Sequence, residues 1–194
     1  MTKNNRIWIY SFIVIGILIM TASSCEKMDT TEYESVTIGT QVWMLKNLNV
    51  TTYRNGDAIY NVTDNTEWRN LTTGAYCDYE NSSIKADTYG RLYNWYAIND
   101  SRNIAPTGWH VATDGEWTTL INYLGGLNLA GGKLKEIGTS HWNTPNIGAT
   151  NESGFTALPG GYRHYDGGSY DLKNMGSFWS SSEASPYNAW SYYL

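Results

Sequence analysis

The side chains of this chain that could take part in catalysis or bind a metal are two cysteines, three histidines and a run of serines. Apart from Cys25, the only cysteine is Cys77, which has no partner for a disulfide in the same domain. The histidines are His110, His141 and His164. Their spacing is not that of a metal site such as H-x-x-x-H, and no G-x-S-x-G turn surrounds Ser180–Ser182. The sequence therefore predicts no catalytic residue, no metal and no cofactor.

Cys25 is the cysteine whose surroundings indicate a modification. Three small residues precede it, as in a bacterial lipobox, where the cysteine is acylated and becomes the first residue of the mature chain. Lys3 and Arg6 form a basic start, and Ile7–Met20 is an apolar run too short and too N-terminal to favour a spanning helix. The sequence therefore predicts a lipoprotein signal peptide over residues 1–24 and lipidation of Cys25. An ordinary signal peptide with an incidental cysteine, or an uncleaved anchor, are the alternatives.

Tyrosines near a predicted turn are the candidates for a binding surface. Tyr165 and Tyr170 flank Asp166-Gly167-Gly168, which has the composition of a hairpin turn. An aromatic face offers apolar area beside a polar hydroxyl, so a sugar ring could stack on such a residue. We therefore predict Tyr165, Asp166 and Tyr170 as binding residues, with ordinary loop packing of the tyrosines as the alternative.

Calcium-dependent sugar binding is disfavoured. Such a site needs several converging carboxylate and amide oxygens. The sugar-site signatures Glu-Pro-Asn and Trp-Asn-Asp are absent, and the nearest string is Trp142-Asn143-Thr144. A calcium site would have to be built from scattered oxygens, such as those of Asn151, Glu152 and Asp166.

The composition describes a loop-rich and aromatic-rich extracytoplasmic domain. Charged residues make up 16% of the chain, against roughly 25% in typical globular proteins, while glycine and tyrosine number 19 and 16. The net charge of −5 becomes −7 when Lys3 and Arg6 are removed with the signal peptide. A nucleic-acid partner is therefore excluded, because it needs a basic surface.

The clearest local code is a capped helix after residue 113. Thr113-Asp114-Gly115-Glu116 has the form of a capping box, and Gly125-Gly126 fits a helix end. An apolar stripe at helical spacing is formed by Trp117, Leu120, Ile121 and Leu124. Trp109–Val111 fits a short strand that enters this helix.

The other elements are predicted from periodicity and turn residues. A second helix is expected because five apolar residues share a helical face, namely Tyr89, Leu92, Tyr93, Tyr96 and Ala97. Val36–Val50 reads as a hairpin, Tyr60–Glu80 as a long loop with short strands, and Ala130–Lys135 as a helix or a strand. Further strands are expected at Phe155–Leu158, Tyr162–Tyr165, Phe178–Ser182 and Ala189–Leu194. Two helices among several short antiparallel strands make the fold class α+β.

Five ordered motifs carry a resemblance to a known family. The segments YGRLYNWYAI, APTGWHVATDGEWTTL, AGGKLK, GFTALPGGYR and FWSSSEA resemble the Fibrobacter succinogenes major paralogous domain, found mostly in lipoproteins of Bacteroidota and related bacteria. The resemblance spans residues 36–194, and residues 25–35 then form an acylated cysteine and polar tether. Ala112 stands where the family usually has proline, and Ala105 where it often has cysteine.

A shorter resemblance concerns the fold. WHVATDGEW is also similar to a segment of the formylglycine-generating-enzyme group, which implies a C-type-lectin-like arrangement. Those enzymes depend on reactive cysteines, so a lone Cys77 counts against that activity. The resemblance also implies that this chain stops before the family's usual last strand. The edge of Ala189–Leu194 would then stay open, which predicts self-association or marginal stability.

These observations predict a membrane-anchored extracytoplasmic lipoprotein, at the outer membrane or cell surface. Acidic residues after Cys25 resemble a surface-export signal of Bacteroidota lipoproteins, but Lys27 interrupts them, so a plain solvated linker is equally favoured. The predicted role is non-catalytic recognition or adhesion towards a glycan or a protein. The alternatives are an enzyme related to the formylglycine-generating group and a structural building block of the cell surface.

Overall fold

The computed structural model describes residues 11–12, 16–18, 33–185 and 188–194. Within them the chain forms twelve strands and five α-helices. The strands are β1 (Ser11–Phe12), β2 (Gly16–Leu18), β3 (Ser35–Ile38), β4 (Gln41–Met44), β5 (Tyr60–Asn61), β6 (Ala75–Cys77), β7 (Leu92–Asn94), β8 (Trp109–Val111), β9 (Gly160–Arg163), β10 (Ser169–Leu172), β11 (Ser177–Ser185) and β12 (Asn188–Tyr193). The helices are α1 (Asn65–Arg69), α2 (Ser83–Tyr89), α3 (Trp95–Ile98), α4 (Asp114–Tyr123) and α5 (Leu127–Leu134). Cys25 and most of the predicted tether lie outside the described residues.

The strands form three small sheets. One sheet has the order β10-β9-β1-β7-β6-β5, a second has the order β3-β4-β2-β8, and β11 pairs with β12 in a third. Every pairing between these strands is antiparallel except that of β5 with β6. The predicted mixed α+β, loop-rich class is thus confirmed. Among the described residues, no helix is both long and apolar enough to cross a membrane.

The predicted signal peptide contributes a strand to each of the two larger sheets. Ser11 in β1 pairs with Asn94 on one side and with Arg163 on the other. Ile17 in β2 pairs with Trp43 and with His110. Both short strands therefore lie in the interior of a sheet rather than at its edge.

The α4 helix begins with the predicted capping box. The Glu116 N–H donates to Thr113 Oγ1 at 3.2 Å, and the Thr113 N–H donates to Glu116 Oε2 at 2.7 Å. At the other end, the Gly126 N–H donates to the Ile121 carbonyl at 2.9 Å, and Gly125 has φ 99°. A left-handed residue followed by this hydrogen bond is the usual glycine-terminated helix end. The predicted start and stop of this helix are both confirmed.

Trp117 on α4 lies at the centre of the aromatic core. Its ring is 4.9 Å from that of Trp43 on β4 and stacks on Tyr192 of β12 at the same distance. Phe178 of β11 lies 5.7 Å away, and Phe155 closes the cluster at 6.5 Å. Because these rings come from four separate parts of the chain, burial of Trp117 holds the small sheets against α4.

The predicted second helix through Tyr89 and Ala97 is wrong. Helix α2 ends at Tyr89, and Gly90 follows with φ 77°. After Arg91, Leu92–Asn94 form β7, which pairs with β6, and Asn94 then caps α3 by accepting from the Ala97 N–H at 3.0 Å. All of β7 is buried. A strand that is apolar on both faces has no period of two, so spacing alone could not distinguish it from a helix.

The remaining predictions have mixed outcomes. The hairpin of β3 and β4, the turn at Asp166–Gly168 and the strands β11 and β12 are confirmed. Ala130–Lys135 falls mostly within helix α5. A strand at Phe155–Leu158 is wrong, since only Ala157 makes a single bridge there, to Lys135. Helix α1, capped by Asp64, was not expected in the long loop. The open edge of β12 stays a prediction; β11 is its one strand neighbour in the described part of the chain.

The central position of Trp117 generates a stability prediction. We expect Trp117→Ala to lower the free energy of unfolding by about 3–5 kcal/mol, because it removes the central indole ring of a packed cluster. Thr113→Ala removes one cap acceptor and should cost about 1 kcal/mol. Urea denaturation of both variants measures the difference. Equal costs for the two variants would show that Trp117 does not hold the core.

Candidate functional site

The predicted binding residues lie on the hairpin of β9 and β10. Its turn is closed by the Gly168 N–H, which donates to Asp166 Oδ1 at 2.8 Å, and by the His164 N–H, which donates to the Gly168 carbonyl at 2.8 Å. Gly167 has φ 92°, and a Cβ added there would lie 2.5 Å from Cβ of Asn65. Glycine is therefore required at this position by both conformation and space. The turn packs closely against the start of α1.

The structure brings Tyr165, Asp166 and Tyr170 together with Tyr162 and His164, which the sequence did not predict as binding residues. Tyr170 lies beside Tyr162, with ring centres 5.9 Å apart, and its hydroxyl donates to Asp166 Oδ2 at 3.3 Å. His164 lies 4.0 Å from the ring of Tyr165 and 5.8 Å from that of Tyr170. We call these five residues the aromatic hairpin surface. The alternation of Tyr162 and His164 in the sequence that leads into the turn is the signal that would have found them.

Charge on this surface is concentrated on Asp166. Burial acts to raise the pKa of Asp166, but the Gly168 N–H, the His164 ring and the Tyr170 hydroxyl together hold it below its usual range. The negative charge of Asp166 in turn raises the pKa of Tyr170. The surface therefore presents one carboxylate, whose Oδ1 lies 3.1 Å from His164 Nδ1, beside aromatic rings. This combination suits a ligand with apolar faces and hydroxyl donors.

The buried side chain of Arg163 holds the hairpin through hydrogen bonds. Its side chain is buried, and the guanidinium donates to the Gly167 carbonyl at 3.0 Å and to the Val62 carbonyl at 2.6 Å. The same group lies 4.4 Å from the ring centre of Trp68 on α1. A buried charge is stable only when its donors are satisfied, and here backbone carbonyls satisfy them. These contacts of Arg163 therefore hold the backbone of the aromatic hairpin surface in place.

A cavity of about 340 Å³ is a second candidate site. The residues that line it include Lys46, Asp87, Glu136, His141 and Phe155. His141 Nδ1 lies 2.8 Å from Glu136 Oε1. The other carboxylate oxygen of Glu136 is buried and has no hydrogen-bond partner among the described residues. A carboxylate beside an imidazole can bind a polar molecule or exchange a proton.

The remaining histidine and the serines have structural partners. His110 Nε2 lies 2.7 Å from Glu116 Oε1, so this ring is bound to the residue that caps α4. Ser181 Oγ donates to the Val111 carbonyl at 2.9 Å, and Ser182 Oγ accepts from the Asp114 N–H at 3.1 Å. These contacts join β11 to β8 and to the start of α4.

Cys77 lies in β6 and is fully buried. Burial raises the pKa of its thiol to about 11, although nearby Arg163 opposes that change. A cysteine reacts through its thiolate, so a buried neutral thiol is a poor nucleophile.

Oxygen atoms considered for calcium are already engaged. Asn151 Oδ1 accepts from the Thr156 N–H at 2.8 Å, and Glu152 Oε2 lies 3.2 Å from Nζ of Lys133. In the part of the chain that the structure describes, no group of three or more His, Cys, Asp or Glu side chains is arranged to hold a metal ion. The prediction of metal independence stays a prediction.

The fold and this surface define an α+β domain with an aromatic core and an aromatic hairpin. Residues 36–194 match the model of the Fibrobacter succinogenes major domain, so the chain belongs to that family. The resemblance noted in the sequence is thereby confirmed. Neither a curated protein nor a solved structure shows a significant match to the chain. The more distant similarity to C-type-lectin-like proteins stays a prediction.

Burial of Cys77 generates a prediction on its reactivity. In a Cys25→Ser variant, where Cys77 is the one remaining thiol, we expect no reaction with a thiol reagent at pH 8 while the protein is folded. Full reaction should follow in denaturant. Rapid labelling of the folded protein would contradict the burial and would reopen a nucleophilic role for Cys77.

Proposed function

We propose that this chain is a lipid-anchored extracytoplasmic domain that recognises carbohydrate on the aromatic hairpin surface and carries out no reaction. The observation that carries the proposal is the clustering of Tyr162, Tyr170 and Asp166 on one rigid hairpin. Tyr170 is 44% exposed, so its ring is accessible to a ligand.

Carbohydrate fits this surface better than a charged ligand does. The C–H face of a sugar ring packs on an aromatic face, and its hydroxyls donate hydrogen bonds to a carboxylate. Asp166 supplies such an acceptor next to Tyr170. An anionic ligand would meet the negative charge of Asp166 and of the chain as a whole. A protein loop rich in hydroxyl and apolar groups is the second ligand that this chemistry would accept.

The lipid anchor is supported by the sequence around Cys25. Basic residues, an apolar run and three small residues precede that cysteine in the order of a lipoprotein leader. Each buried CH₂ of an acyl chain contributes about 0.8 kcal/mol, so a multiply acylated cysteine holds a protein stably at a membrane.

An enzyme related to the formylglycine-generating group is the alternative. Its chemistry would not fall on Cys77, which is buried with a raised pKa. Glu136 and His141 are the pair that favours an enzyme, because they share a cavity and a 2.8 Å contact. A His141→Ala variant distinguishes an enzyme that uses this pair from a carbohydrate-binding domain. Under our proposal it should bind carbohydrate as the original chain does.

The binding role is tested with a glycan array, followed by calorimetric titration of the strongest ligand. We expect Tyr170→Ala to weaken binding about tenfold, since loss of an aromatic contact is worth about 1–2 kcal/mol. Tyr60→Ala is the matched control, because Tyr60 is 75% exposed on β5, at the far edge of the same sheet. Equal losses for the two variants would contradict a role for the hairpin. A chain that binds no glycan would be a protein-binding domain or a structural building block.

Lipidation is tested by metabolic labelling with a fatty-acid analogue. We expect Cys25→Ser to abolish the label and to release the protein from the membrane fraction. Cys77→Ser is the control and should keep both label and location, because Cys77 is enclosed in the domain. Undiminished label on Cys25→Ser would rule out the anchor.

A further inference from the structure

The N-terminal strands β1 and β2 each occupy an interior position in one of the two larger sheets, and we call these two positions the channel. Strand β1 lies between β7 and β9, and β2 lies between β4 and β8. Only three residues separate Phe12 from Gly16, so a single segment serves both positions. It runs antiparallel to all four of its neighbours.

Cleavage before Cys25 would remove this segment, so the inference rests on the proposed lipid anchor. Strand β8 would then lose its strand partner, since β2 is the one strand that pairs with it in the described residues. Strands β4, β7 and β9 would each lose the pairing on one side. Unpaired backbone N–H and C=O groups in such positions are costly and readily pair with another strand.

Side chains beside the channel are committed elsewhere and do not replace these backbone partners. Asn94 Oδ1 accepts from the N–H groups of Ala75 and Ala97, both at 3.0 Å. The Arg163 guanidinium donates to the Gly167 and Val62 carbonyls. The Tyr93 hydroxyl donates to the Val50 carbonyl at 2.8 Å. These side chains would therefore leave the backbone groups of the emptied channel unpaired.

We propose that the mature domain accepts an extended apolar strand from a partner protein in this channel. Strand addition of this kind takes its affinity from backbone hydrogen bonds and its specificity from alternate side chains. The sequence of residues 11–18, which includes β1 and β2, defines the required chemistry, namely about eight residues, apolar, rich in β-branched residues and free of proline.

Other occupants from this chain fit poorly. The tether after Cys25 is polar and acidic, with Glu26, Asp29 and Glu32 in its first eight residues. The apolar C-terminal strand β12 already pairs with β11. A second mature copy offers the same two segments and no apolar leader. The donor strand must therefore come from a different chain.

The test uses the mature lipoprotein isolated from membranes, with its N-terminus identified by mass spectrometry. The probe is a synthetic peptide of residues 9–20 with lysines added at both ends for solubility. We expect it to bind and to slow amide hydrogen exchange in β4 and β8. The control peptide carries Ile17→Pro, which removes a donor from an interior strand position and should bind at least about tenfold more weakly.

The register can be tested by disulfide trapping in a His110→Cys variant of the same protein. Ile17 pairs with His110, whereas Leu18 pairs with Trp109. A probe peptide with Ile17→Cys should therefore cross-link faster than one with Leu18→Cys. Equal rates for the two peptides would overturn the proposed pairing.

The outcomes separate this inference from the proposed function. Failure of an acylated chain that begins at Cys25 to bind the peptide would overturn the strand-acceptor proposal and leave the anchor standing. Binding of the peptide by a chain that recognises no glycan would support the acceptor and contradict carbohydrate recognition. Retention of residues 11–18 in the mature protein would overturn both the anchor and the open channel.

Discussion

Two indole hydrogen bonds hold the three sheets of this domain together. Nε1 of Trp117 on α4 donates to the Trp179 carbonyl at 3.3 Å, and Nε1 of Trp179 donates to the Tyr93 carbonyl at 2.8 Å. The first bond ties α4 to β11, and the second ties β11 to β7 of the six-stranded sheet. Trp117 also packs on Trp43 of the four-stranded sheet. A sheet of two strands is marginal by itself, so β11 and β12 depend on these contacts and on those of Ser181 and Ser182 with β8 and α4.

Contacts with α1 hold the aromatic hairpin surface in place. Arg163 and the Gly167 turn connect β9 and β10 to α1, and Arg69 at the end of α1 donates to the Asp166 carbonyl at 3.3 Å. Tyr162 and Tyr165 also pack against the core, whereas Tyr170 is 44% exposed. Tyr170 is therefore the ring of this surface that can change with the least effect on the core.

The sequence predicted well those parts of the fold that depend on residues close together in the chain. The capping box of Thr113 and Glu116, the Gly125 helix end and the turn at Asp166 depend on near neighbours in the chain, so their residues announce them. Strand β7 was missed because its neighbours in space, β6 and β1, are distant in sequence. Tertiary pairing there overrides a helical spacing that is locally as good.

The candidate site divides in the same way. Tyr165, Asp166 and Tyr170 were predictable because a turn brings them together over a few residues. The pairing of Glu136 with His141 was not predictable as a site, because the cavity that the pair lines is built from segments far apart in the chain. The interior positions of β1 and β2 were also beyond the sequence, because an apolar leader and an apolar strand share one composition.

Glu116 links the start of α4 to strand β8, and this link is sensitive to acid. One oxygen caps α4 at Thr113, while the other contacts His110 on β8. Burial acts to raise the pKa of Glu116, but the N–H and hydroxyl of Thr113 and the His110 ring hold it below its usual range. The stability it supplies is therefore complete above a pH of about 4.3, the ordinary value for Glu, and is lost as the pH falls through the lower value of the folded state. Protonation of Glu116 would weaken both the start of α4 and its contact with β8. We therefore expect acid to disrupt the two contacts in one transition.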